Sequence, residues 1–416
     1  MLKLYNSLTR KLEIFEPLDE GKVKMFTCGP SIHQMPHIGN YRTFVFEDIL
    51  QRYLEYLGYK VERVLTITDV EDKALVEAEK QNMPLEELTD GNVKQFIEEL
   101  KKLKVKIPDY LQRSSAIVEQ AVYLIEVLLE KGYAYWYTHE GRKNVYFDPL
   151  KFDGFGKLFR LDMSKWPKQK IRFHKDTYPG NRWNKGDFIL WHGYKEGDKV
   201  YWDTKIGKGR PSWNIQDPAM IPKSFGYKAD IWCSGIDSTY RHHDYIIAEV
   251  ESITGKPFVR YWLHAAHLIF EGEKMSKRKG NIKYPRDLLE TECIWNHIRF
   301  FFMYGHYRRK LNFAFKDYNK VCKLLRSFRK MVKNLRVAEG SEQESSAQAK
   351  KLVKQITTDF EEHMNNDLQV KAAFDSLYTT VSGLVKLKEK QMLSAEDSKE
   401  ALEKLKAIDY VFQAFF

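Results

Sequence analysis

The chain has 416 residues, 43% hydrophobic and 30% charged, which excludes a disordered polypeptide and predicts two to four compact units. No apolar run reaches membrane length, no signal peptide opens the chain, and the cysteines (Cys28, Cys233, Cys293, Cys322) are too sparse for a disulfide scaffold, so a cytoplasmic location is expected. The net charge of +11 admits a polyanionic partner such as RNA, although a lysine-rich surface alone gives the same figure.

In chain order, residues 23–28 (VKMFTC) read as a short buried strand, followed by a turn at Gly29 and Pro30. From 41 to 57 the residues Phe44, Phe46, Ile49, Leu50, Tyr53, Leu54 and Leu57 recur at helical spacing, and Gly58 stops the helix. Residues 60–68 alternate as a strand. This βαβ unit carries Gly39 at its helix entry, where backbone N–H groups and the positive helix end suit a phosphate.

Helical patterns follow over 69–106 and 114–132. The stretch 133–206 is rich in Trp, Tyr, Gly and Lys, with the strand-like fragments NVYFD, DFILWH and KVYWDT, and reads as an insertion. An α/β pattern returns over 229–254, and helices dominate from about 288. The set Val321, Leu324, Leu325, Phe328, Met331, Val332 and Leu335 predicts a helix that ends at the polar linker 338–348 (AEGSEQESSAQ). Leu352, Ile356, Phe360 and then Phe374, Leu377, Val381, Leu384 continue a helical bundle.

Two constellations carry chemistry. A reaction at a nucleotide phosphate builds negative charge on the phosphoryl oxygens and on the leaving group. Pro36-His37-Ile38-Gly39-Asn40 offers close backbone approach and donors at a strand-to-helix turn. Lys274-Met275-Ser276-Lys277-Arg278-Lys279-Gly280-Asn281 offers cations on a glycine-terminated loop. Alone, the first suits any helix entry and the second any solvated basic loop; together, in this order, they are specific.

The pair resembles the two ATP motifs of class I aminoacyl-tRNA synthetases, written HIGH and KMSKS. Asn40 departs from the fourth position of the first, keeping an amide donor; the penalty should be smaller than the roughly 3 kcal/mol for losing a whole donor. Within the class, the chain is similar to cysteinyl-tRNA synthetases. The resemblance runs through Thr27-Cys28-Gly29-Pro30-Ser31, Thr68-Asp69-Val70-Glu71-Asp72-Lys73, Gly209-Arg210-Pro211-Ser212-Trp213, Gly235-Ile236-Asp237 and His242-His243. It continues through Thr254-Gly255-Lys256-Pro257-Phe258, His264-Ala265-Ala266-His267-Leu268, His306-Tyr307-Arg308 and Leu311-Asn312-Phe313.

That resemblance implies a Rossmann-like α/β catalytic domain in two halves (1–110 and 207–260) around a connective insertion (111–206). A KMSKS-loop, stem-contact subdomain (261–315) and a C-terminal α-helical bundle (316–416) follow. It implies His37, Asn40, Lys274 and Lys277 as catalytic residues, with Gly29, Pro36, Gly39, Gly235, Asp237 and Ser276 around ATP and its Mg²⁺. Cys28, Thr68, Trp213, Asp217 and Trp232 would line the amino-acid pocket.

The family's zinc, which binds the substrate thiolate, requires two cysteines, a histidine and a glutamate. The matching positions are Cys28, Asp217, His242 and Ile246. Aspartate is a poorer thiolate substitute and isoleucine cannot ligate, so loss of the metal is expected. The alternative is a rearranged site in which Cys233, His243 or Asp244 supplies a ligand. Asn214 and Gln216 replace the family's His and Glu, and Trp232-Cys233-Ser234-Gly235 adds bulk at its HGGG-like strand end.

The stripe Lys320, Lys323, Arg326, Arg329, Lys330, Lys333 and Arg336 suits an RNA backbone as well as a plain solvated face. The leading expectation is cysteine–tRNA ligase activity, with ATP, an amino acid and tRNA as partners and no membrane. A ligase passing the adenylate to a small amine, and a catalytically silent RNA-binding relative, are the alternatives. Monomer and homodimer are both open.

Overall fold

The computed structural model describes residues 1–165, 186–289, 294–337 and 343–416. Cys293, the middle of the expected insertion (166–185) and the first part of the expected linker (338–342) lie outside the described residues.

A hairpin of β1 (Lys3–Asn6) and β2 (Lys11–Ile14) opens the chain. The strand expected at 23–28 is β3 (Lys22–Thr27). Its Met25 and Phe26 enter separate apolar cores on opposite faces, as a parallel sheet covered on both sides requires. Next comes α1 (Ile38–Tyr56), which begins earlier than the apolar spacing predicts. The reason is a capping box: the His37 side chain accepts from Gly39 N, and Asn40 Oδ1 accepts from His37 N. Most of α1 is buried, Glu47, Asp48 and Gln51 included, so it is an internal helix rather than a surface one.

The chain continues through β4 (Lys60–Ile67), α2 (Asp72–Lys80), α3 (Leu85–Lys102), β5 (Tyr110–Arg113) and α4 (Val118–Glu130). Pro84 separates α2 from α3 within what periodicity alone reads as one helical stretch. An antiparallel sheet follows, of β6 (Ala134–His139), β7 (Arg142–Phe147), β8 (Phe188–Gly193) and β9 (Gly209–Pro211). NVYFD and DFILWH contribute to β7 and β8, but KVYWDT forms no strand; its one pairing is the bridge of Trp202 with Gly209.

Beyond α5 (Trp213–Phe225) come β10 (Ala229–Gly235), α6 (Asp244–Thr254) and β11 (Val259–Ala265). They complete a five-stranded parallel sheet of order β11-β10-β3-β4-β5. The chain leaves β3 toward β4 on one side and returns to β10 on the other. The carboxyl ends of β3 and β10 therefore flank a switch point, where open α/β sheets bind their ligands.

After β12 (Leu268–Phe270), α7 (Trp295–Met303) and β13 (Leu311–Phe313), the last third is helical: α8 (Phe315–Asn334), α9 (Ala347–Asn365), α10 (Val370–Glu389) and α11 (Ala395–Phe412). This bundle shares its core with α1. Fully buried Arg299 on α7 reaches Asp48 of α1 at 2.6 Å and the carbonyl of Phe412 at 2.8 Å. No helix among the described residues is long and apolar enough to cross a membrane.

Candidate active site

The loop after β3 passes close over β4. A Cβ on Gly29 would fall 1.5 Å from the Thr66 carbonyl oxygen, so only glycine allows the passage, and its N–H donates to Thr66 Oγ1 at 3.0 Å. Thr68 continues the clamp through its backbone, donating to the Pro30 carbonyl at 3.2 Å and accepting from Ile32 N at 3.0 Å. Pro36 is buried beneath the helix entry.

The two motifs, distant in sequence, meet here. A Cβ on Gly39 would lie 3.4 Å from the methyl carbon of Met275, and Ile38 N donates to the Lys283 carbonyl at 2.9 Å. Asn281 closes the second motif: its Oδ1 accepts from Ser276 N at 2.9 Å and its amide donates to the Lys274 carbonyl at 3.3 Å. Lys274 is exposed, and Lys277 opens the short turn Lys277–Lys279.

Burial lowers the His37 pKa, against the opposing pull of the Asp237 carboxylate, so the imidazole is neutral near pH 7. Its Nδ1 accepts from Gly39 N, which leaves the proton on Nε2 as a donor. Asn40 commits its oxygen to the cap and keeps its amide N–H groups for other acceptors. Gly235 ends β10, with Asp237 just beyond. Burial also lowers His267, which feels Asp237, Lys274, Lys310 and Arg42.

A second corner forms around Cys28. Its sulfur receives the Trp232 indole N–H at 3.2 Å and lies 3.3 Å from His243 Nε2 and 3.8 Å from His242 Nε2. His242 Nε2 is 2.8 Å from Asp217 Oδ2, and the Trp213 ring stacks on His242 with centroids 4.4 Å apart. Burial, reinforced by Asp217, pushes the Cys28 thiol pKa up. Five of the residues expected here (Cys28, Trp213, Asp217, Trp232, His242) thus converge, whereas Thr68 acts on the neighbouring loop. The bulk of Trp232 goes into the core, against Phe26 at 3.9 Å and Trp262 at 5.3 Å.

The donor set at this corner fits a zinc-type ion in chemistry and in spacing. Cys28, His242 and His243 offer ligand atoms all within 4.8 Å of one another; Asp217 lies outside that set and pairs with His242 Nε2. Ile246 is buried and offers nothing.

Periodicity and motif spacing missed Arg42, two residues past the first motif. Its buried guanidinium gathers the carbonyls of Ala266, His267 (3.1 Å), His306 (3.2 Å), Tyr307 (3.3 Å) and Arg309 (2.6 Å). Burial lowers its pKa to about 10. Arg42 therefore fastens α1 to the base of the segment that carries Lys274.

Residues 14–323 match the family described as the tRNA synthetases class I (C) catalytic domain. The cysteine–tRNA ligase of Chlamydia pneumoniae is 37% identical over 99% of this chain and 85% of its own length. That of Brachyspira hyodysenteriae is 35% identical over 91% of this chain and 79% of its own. Among solved structures, Mycobacterium tuberculosis methionyl-tRNA synthetase in complex with methionyl-adenylate is similar, with TM-score 0.65, covering 94% of this chain and 90% of that one. The Agrobacterium radiobacter LeuRS in a ternary complex with tRNA and LeuAMS gives TM-score 0.64 over 96% of this chain and 84% of that one. At 15% and 10% identity these two bear on the fold alone. From the match over 14–323 and the two ligases, the chain belongs to the cysteinyl-tRNA synthetase family of class I aminoacyl-tRNA synthetases.

Proposed function

We propose that the chain activates cysteine with ATP and passes the cysteinyl group to the 3′ end of a tRNA. The cysteine carboxylate attacks the ATP α-phosphorus, pyrophosphate leaves, and a tRNA terminal hydroxyl then displaces AMP from the adenylate. His37 Nε2–H and the Asn40 amide donate to phosphate oxygens, and Lys274 and Lys277 neutralise the charge that builds in the transition state. Gly29, Pro36, Gly39 and Ser276 shape the phosphate path, Gly235 and Asp237 serve the nucleoside, and Mg²⁺ enters as the counter-ion of ATP. Cys28, Thr68, Trp213, Asp217 and Trp232 form the amino-acid pocket.

The observation that carries this reading is the contact of Met275 with Gly39, which brings the two motifs together. The same reading divides the chain at 110, 206, 260 and 315. It assigns the exposed cations Lys323, Lys330, Lys333 and Arg336 along and just beyond α8 to tRNA backbone.

The test is to incubate the protein with ATP, labelled cysteine and total tRNA. Base-labile label on the RNA, lost in Lys277→Ala, is the expected result. Label on a small amine with the RNA bare would move the acceptor elsewhere, and no label on either would reject the proposal.

A further inference from the structure

We infer that His243 joins Cys28 and His242 in holding a zinc-type divalent cation, supplying the ligand that Ile246 cannot, with Asp217 held against His242. The family's ligand positions do not include His243, and the sequence offers Cys233 and Asp244 as equal substitutes. The fold separates the three.

Cys233 alternates to the other face of β10, into the core with Met25 and Ile231, where Glu47 and Arg63 are its charged surroundings. Asp244 is spent on the chain itself: its carboxylate accepts from Leu158 N at 2.9 Å and Phe159 N at 3.1 Å. His243 alone faces Cys28. The backbone turns to allow it, because Arg241 adopts φ +69°, a conformation non-glycine residues seldom take, and the helix bends just before the two histidines.

Distances support a shared ion. With metal–sulfur and metal–nitrogen bonds of about 2.3 and 2.0 Å, a tetrahedral S···N edge is about 3.5 Å. The two observed edges, 3.3 and 3.8 Å, bracket it. His243 has the outer partner a ligating imidazole needs: its Nδ1 meets His264 Nε2 at 2.8 Å, and His264 Nδ1 meets Ser7 Oγ at 2.8 Å. That relay fixes the ring with Nε2 toward the sulfur. The Trp232 N–H at 3.2 Å is a donor suited to a thiolate. Charge agrees as well. Neither Asp217 nor Cys28 has a lysine or arginine partner among the described residues, and a dication balances one carboxylate and one thiolate to zero. Binding releases the Cys28 proton to solvent.

The inference rests on the synthetase reading for the purpose of the ion, not for its geometry, so its test reads metal rather than turnover. Full-length protein purified without chelators should carry about one zinc ion per chain by mass spectrometry. After stripping, Co²⁺ should rebind with a thiolate-to-cobalt charge-transfer band. Cys28→Ser should abolish that band, and His243→Gln should weaken Co²⁺ binding at least tenfold. Cys233→Ser should change neither. Circular dichroism and thermal unfolding check that each variant folds.

Unaltered Co²⁺ binding by folded His243→Gln overturns the assignment. So does an unchanged band in Cys28→Ser, which decides the matter if the histidine variant does not fold. Wild-type protein that takes up neither Zn²⁺ nor Co²⁺ overturns it too. Cysteine-dependent pyrophosphate exchange in such metal-free protein would leave the synthetase reading standing.

Discussion

Arg42 Nη2 and the carbonyl oxygen of Arg309 lie 2.6 Å apart, one of five main-chain acceptors gathered by a guanidinium only 2% exposed. Those acceptors lie on both sides of the lysine-bearing loop, so one side chain of α1 sets the base of that loop against the first motif. Lysine has no planar fork and cannot serve the same carbonyls; those of His267, His306 and Tyr307 keep a backbone donor, but those of Ala266 and Arg309 lose theirs, at about 1–3 kcal/mol each. Arg42→Lys is expected to lose at least about 2 kcal/mol in urea unfolding. Its kcat for pyrophosphate exchange should fall more than about tenfold, with a smaller change in KM for ATP.

His37 has two tasks that substitution can separate. Its Nδ1 caps α1, and its Nε2–H is the proposed phosphate donor. His37→Ala should lose about 1 kcal/mol of stability with the cap and about two orders of magnitude in exchange kcat. Serine is a good cap but too short to reach a phosphate. His37→Ser should therefore recover the stability and not the rate, as unfolding and exchange measured on the same preparation will show.

The β3–α1–β4 unit was legible because its apolar spacing and its glycines answer to local geometry. The true start of α1 was not, since the cap uses histidine and asparagine side chains rather than the usual serine, threonine or aspartate before the helix. KVYWDT reads as a strand from its aromatic alternation. Those aromatics instead diverge: Tyr201 lies 4.6 Å from Tyr194, with Lys208 over its ring, and Trp202 packs against the core that holds Phe26. At the candidate site, the residue types were legible and their directions were not. Nothing in HHD tells that both imidazoles face Cys28, because the bend at Arg241 decides it. Arg42 was invisible for a different reason: its partners are backbone carbonyls more than 200 positions away in sequence, and those carry no residue signature.

Glu249 on α6 gives a pH-dependent test. Both its carboxylate oxygens are buried with no hydrogen-bond partner among the described residues, and burial, helped by Asp217, holds its pKa well above the usual carboxylate range. The folded state therefore keeps a proton that the unfolded state releases above about pH 4.3. From there up to the folded pKa, this group's contribution falls by about 1.4 kcal/mol per pH unit. Glu249→Gln should thus gain stability relative to the parent as pH rises from 5 to 8. An unfolding difference that stays constant over that range would contradict the assignment.

The exposed cations of α8 separate acceptor binding from chemistry. Replacing Lys323, Lys330 and Lys333 with glutamine should weaken tRNA binding and flatten its salt dependence by about 0.7–0.9 for each phosphate no longer neutralised. Exchange without tRNA should be unchanged. Filter binding across a salt series measures the first, and equal salt slopes for parent and variant would count against this face.

Cysteinyl adenylate is proposed to form where the turn at Gly39 meets the loop of Met275. ATP–pyrophosphate exchange, run with each of the twenty amino acids in turn, tests it most directly. Exchange that depends on cysteine and disappears in Lys277→Ala is the expected result. Exchange driven by another amino acid, or by none, would contradict it.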